Sequence, residues 1–200
     1  MIPKLQFHRS YIYDEYLKRD TDFKMPTEDF IDKNTDKIIT KWKKYDKRIL
    51  KEIEKVAGVP WRESHIYIYT TAGVGWFSEP LTLSITKDID FIFHTLTHEL
   101  IHRILNENEN WPKLEKGYNK LIKDFNEEEL VTSGHVPIHA IHKHIYLKLF
   151  SQRELKKEIR FMKKNDDLYY RSWQIVENEG FENIIRKYIN PKYKGLGRLA

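Results

Sequence analysis

Apolar residues first recur at helical spacing over residues 35–57, where Ile38, Ile39, Trp42, Tyr45, Ile49, Ile53 and Val56 fall at steps of three and four before Gly58 and Pro60. The spacing predicts one amphipathic helix. Its outer face carries Lys37, Lys41, Lys44, Lys47, Arg48, Lys51 and Lys55, interrupted by Asp46, Glu52 and Glu54. The period then changes to two. Ile66 and Ile68 alternate with His65, Tyr67 and Tyr69 over 64–70, small residues turn the chain at 71–75, and Leu81, Leu83 and Ile85 alternate with Thr82, Ser84 and Thr86. Two strands are expected there. A helix over 89–105, opened by Asp88 or Asp90, has Phe91, Ile92, Phe93, Leu96, Leu100, Ile101, Ile104 and Leu105 around most of its circumference, so it is expected to be buried. The same helix carries His94, His98, Glu99 and His102, polar groups that burial makes costly unless they are partnered or used.

After a polar loop at 106–110 the pattern predicts a short helix over 113–125 and a longer one over 126–150, kinked at Pro137. Further helix follows from Gln152, with Leu168, Tyr169, Trp173, Ile175 and Val176 packing, a stop at Gly180, a last helix over 181–188 and a basic end at 191–200. Strands followed by helices predict an α+β chain with a small antiparallel or mixed sheet and a mostly helical second half. One domain over 1–200 is expected, with an N-terminal helical part (1–60), a core (61–150) and C-terminal helices (151–200).

Composition narrows the chemistry. With 40% hydrophobic and 32% charged residues, the 200-residue chain can bury a real core. No apolar run reaches the length of a signal peptide or a membrane span, so a cytoplasmic protein without a membrane partner is expected. Lys and Arg number 35 against 30 Asp and Glu, a net charge of +5 too small and dispersed to mark a nucleic-acid binder. The lysine face of the first helix therefore reads as solvated, and nucleic acid as the less favoured partner. The absence of cysteine excludes disulfides, thiolate metal sites and thiol catalysis. Seven of the nine histidines lie between His94 and His144, so a metal site, if present, is built of imidazole and carboxylate.

The string His98-Glu99-Leu100-Ile101-His102 carries the most chemistry. Residues four apart on a helix stand one above the other, so two imidazoles can converge on one zinc ion while Glu99, about 100° round the axis, remains available to a water molecule. Zinc would bring the pKa of that water towards about 7, and Glu99 would take its proton as it attacks a carbonyl carbon. His94 is excluded from the same ion as His102, because eight residues of helix span about 12 Å.

In this string the chain resembles the zincin metallopeptidases, which share a His-Glu-x-x-His helix. The resemblance implies a zincin-like α+β fold: a sheet whose edge strand runs beside the substrate, the metal helix, and a lower helical half that supplies the third ligand. It makes Leu81 to Ile85 the edge strand, offering backbone groups to an extended peptide. The metzincin pattern needs Gly at 105 and His at 108, whereas this chain has Leu105 and Asn108. The gluzincin pattern, with a downstream Glu, points to Glu127, Glu128 or Glu129. Projected at 100° per residue, Glu128 shares a stripe with His135, His139, His142 and Tyr146, while Glu129 fits a capping box with Asn126.

The expected ligands are His98, His102 and Glu128, with His135, Glu129 and Glu127 as alternatives for the third. Glu99 is the expected general base and then acid, and His135 the candidate oxyanion stabiliser. His135 and His139, four apart, could instead hold a second metal, or the histidines of the stripe could be satisfied core residues. The expected function is a zinc-dependent peptidase acting on peptide or protein substrates. The alternative is a non-peptidase module of the same fold that binds nucleic acid or a protein through its basic surface. A purely structural zinc site would have no use for Glu99.

Overall fold

The computed structural model describes residues 1–20, 24–107 and 109–196. Asn108 in the expected loop and the last four residues of the basic end lie outside them. Two compact units are distinguished, Met1–Lys47 with Trp61–Arg103, and Arg48–Pro60 with Ile104–Ala200.

The first unit holds the sheet. Strand β1 (Lys4–Arg9) half-buries Leu5 and Phe7 and exposes Lys4, Gln6 and His8, a period of two in a segment for which no strand was expected. Helix α1 (Tyr11–Asp20) follows. Its buried Asp14 pairs with Arg9 and accepts the Ala72 N–H at 2.7 Å. Helix α2 (Glu28–Trp42) opens on Thr27, whose hydroxyl accepts the Phe30 N–H, and after a turn at Lys43 to Tyr45 the chain forms helix α3 (Asp46–Ala57), which from Arg48 on belongs to the second unit. The single helix expected over 35–57 is thus two. Trp42 and Ile49 are seven residues apart across the turn, the spacing a continuous helix would give, so periodicity could not reveal the break. Lys37 pairs with Asn34 and Lys55 with Glu52 within one helical turn, whereas Lys41 pairs with Asp90 from 49 residues away.

Strands β2 (His65–Thr71), β3 (Trp76–Ser78) and β4 (Leu81–Ser84) complete a mixed sheet in the order β1-β2-β4-β3. β1, β2 and β4 run parallel, and β3 pairs antiparallel with β4. This corrects one expectation: Leu81 to Ile85 is not the edge. All four residues of β4 are buried, and β3 lies outside it. β3 was not expected because three residues are too few to show a period. Helix α4 (Ile89–Asn106) starts at Asp88, whose carboxylate accepts the Phe91 N–H at 3.0 Å. Asp90 is paired with Lys41 instead.

The second unit is helical among its described residues. It includes α5 (Trp111–Asp124), α6 (Leu130–Leu149), α7 (Gln152–Asn165), α8 (Asp167–Glu179), α9 (Phe181–Ile184) and a π-helical turn, Ile185–Ile189. The Ser151 hydroxyl caps α7, accepting the Glu154 N–H and donating to the Glu154 carboxylate, and Asp166 caps α8 through the Tyr169 N–H. Gly117 of α5 lies against the Tyr188 backbone, so a Cβ there would overlap the Tyr188 carbonyl. Gly117→Ala is expected to cost about 1–3 kcal/mol, read as a lowered thermal midpoint. An unchanged melting curve would contradict this packing.

Helix α6 begins four residues later than expected. The Glu128 N–H bonds the Phe125 carbonyl, closing the end of α5, and the first α6 bond runs from the Ser133 N–H to the Glu129 carbonyl. Glu129 makes no side-chain cap, so the expected capping box with Asn126 does not form. No helix among the described residues is long and apolar enough to cross a membrane.

Candidate metal centre

Helix α4 sets the first part of the site. Its apolar residues are buried on every side, and within that surround His98 and Glu99 are each only 7% exposed. The helix is unbroken from Ile89 to Asn106, so the four-residue step brings the Nε2 atoms of His98 and His102 to 3.1 Å, with ring centroids 4.8 Å apart. Two nitrogens bound at about 2.0–2.1 Å to a tetrahedral zinc stand about 3.3 Å apart, so the pair fits the ion with little movement. Burial pushes the Glu99 carboxyl up to about 7, because a carboxylate loses hydration there. His94 lies two turns before His102 on the same unbroken helix, which excludes both from one ion. It is buried, with its ring edge-on to Phe93 at 5.4 Å.

The second unit carries the other expected residues, on α6 and just before it. His135 Nδ1 lies 2.7 Å from the Val131 carbonyl. A carbonyl can only accept, so Nδ1 carries the proton and Nε2 keeps its lone pair, the tautomer a metal ligand needs. Burial pushes the His135 pKa below the ordinary histidine value, which keeps the ring neutral. Its ring stands 4.1 Å from the ring of Tyr169 on α8. Tyr169 had been expected only to pack. No sequence signal marks this contact, since Tyr169 lies 34 residues beyond His135.

Glu128 is held elsewhere. Arg171 on α8 donates to both of its carboxylate oxygens at 2.6–3.1 Å, and this pairing holds the Glu128 carboxyl below the usual carboxylate range. Since α6 starts at Leu130, Glu128 also stands outside the helix from which its inward direction was projected. For Glu127 and Glu129 no side-chain bond to the site is seen among the described residues.

The other histidines of α6 have core surroundings. His139 lies 3.0 Å from the Ser172 hydroxyl and stacks on Trp173 at 4.3 Å with planes 9° apart. His142 stacks on Tyr146 at 4.7 Å. His144, off the stripe, is 1% exposed, with Nε2 2.8 Å from Glu52 and Nδ1 2.6 Å from the Tyr193 hydroxyl. This contact is the largest cause of a lowered Glu52 pKa. His144 thus ties α3 and the segment after the π-helical turn to α6.

No family model, curated protein or solved structure matches the chain.

Proposed function

We propose that this protein is a zinc-dependent peptidase of zincin type. The observation that carries the proposal is the pair of Nε2 atoms, 3.1 Å apart on one buried helix, with a buried carboxylate in the intervening sequence. A histidine pair serving only the core would not need Glu99 beside it.

His98, His102 and His135 would hold the ion. Two features favour His135 over Glu128 as the third: its Nδ1–H is spent on Val131, leaving Nε2 to bind, and the Glu128 carboxylate is engaged by Arg171. Bound zinc supplies Lewis acidity, which stabilises negative charge on an attacked carbonyl oxygen and makes water a better acid. Glu99 takes the proton from the attacking water and returns it to the leaving amine, and its burial suits a base that must also act as an acid near neutrality. The edge role passes from β4 to β3, the last strand of the sheet, whose Trp76 and Phe77 are exposed.

The purified protein is expected to hold one zinc per chain and to cleave an unstructured protein, with cleavage lost on chelation and restored by zinc. Zinc stoichiometry near zero would sink the proposal. Salt-sensitive binding of DNA or RNA without cleavage of any peptide would favour the binding-module alternative.

A further inference from the structure

Arg103 follows His102 on α4, and its side chain is only 16% exposed. Nε and Nη2 grip the Glu63 carboxylate, each at 2.6 Å, while Nη1 donates to the Ser78 carbonyl at 2.9 Å and pairs with Glu79 at 2.5 Å. One side chain therefore ties the metal helix to the end of β3. The fork of donors matters, because a lysine ammonium cannot hold a carboxylate in two places and a carbonyl at once.

The Ser78 carbonyl has a particular place on the edge. The Ser84 N–H donates to the Gly75 carbonyl at 3.0 Å, so Gly75 and Ser84 form a hydrogen-bonded pair. In an antiparallel ladder bonded and non-bonded pairs alternate, which makes Trp76–Leu83 and Ser78–Leu81 non-bonded. The backbone groups of Trp76 and Ser78 thus point away from β4, towards the side where an added strand would pair. Arg103 occupies the acceptor at Ser78. An incoming chain can use the Trp76 pair and is stopped one step further on.

We propose that Arg103 is a positioning residue that ends the peptide-docking edge at Ser78 and so sets which bond of an extended apolar peptide is presented to Glu99. This rests on the peptidase reading. Exposed Trp76 (38%) and Phe77 (49%) flank the docking groups and favour apolar side chains on the occupant. Without Arg103 a docked strand can advance by one pleat, two residues, while keeping the same face towards the sheet.

The test uses the full-length protein loaded with zinc. In Glu99→Gln protein, an extended Val- and Leu-rich peptide is expected to shift the Trp76 and Ser78 amide resonances and none beyond Ser78. With Arg103→Gln added, the shifts run on to Glu79. With Glu99 intact, wild type cleaves the peptide at one main bond, and Arg103→Gln adds a second bond two residues away, with KM altered less than about 3-fold and kcat at the original bond lowered about 10-fold. Arg103→Lys, which keeps the charge, guards against a folding defect and is expected to show the same second bond. Identical shifts and one cleavage bond in all proteins would overturn the proposal, as would the absence of any shift at Trp76. Docking that ends at Ser78 only when Arg103 is present, with no cleavage by wild type, upholds the role in docking and overturns the peptidase reading.

Discussion

Glu99→Gln is expected to lower peptide cleavage about 10³-fold while the protein keeps one zinc per chain. Glutamine has nearly the same size and can fill the same buried space, but its amide cannot accept a proton from the attacking water or return one to the leaving amine. The ligand nitrogens on His98 and His102 are untouched, so metal content separates this effect from collapse of the site. His98→Ala makes the complementary change and should release the metal. Cleavage retained by Glu99→Gln would assign the chemistry to another group, and full zinc retention by His98→Ala would remove the site from α4.

The second large effect distinguishes the third ligand. His135→Ala is expected to weaken zinc binding by at least about 100-fold, more than loss of an outer hydrogen-bond partner usually costs. Glu128→Gln should leave affinity within about 2-fold, because its carboxylate is already engaged by Arg171. Loss of that half-exposed ion pair should cost less than about 1 kcal/mol of stability. Competition with a chromophoric chelator gives both affinities. The opposite order, with Glu128→Gln the weak binder, would return the third position to the carboxylate.

Parts of the candidate site were legible because their geometry is local. A four-residue step on a helix places two side chains on one face whatever surrounds it, so His98 and His102 could be paired and His94 set aside from residue numbers alone. Glu128 was misdirected by a boundary. Its inward projection assumed a helix running from Asn126, whereas the Phe125 turn delays α6 to Leu130, and a projection has no meaning outside the helix that defines it. Arg171 then meets Glu128 from 43 residues away, a contact that no periodicity encodes. Tyr169 beside His135 and Arg103 at Ser78 were missed for the same reason.

The sheet shows the same division. β2 and β4 announced themselves by alternation, but alternation does not say which strand is outermost. The three-residue β3, too short to carry a pattern, took the edge by pairing with β4, and β1 joined the other side through parallel pairing with β2, some sixty residues on. By itself the sequence determined an α+β chain, the helix that carries the histidine pair and its glutamate, and a site without thiolate. Only the tertiary structure decided the edge strand, the partner of Glu128 and the restraint on β3. Those depend on contacts between distant segments, where one displaced helix start or one added strand changes which groups meet.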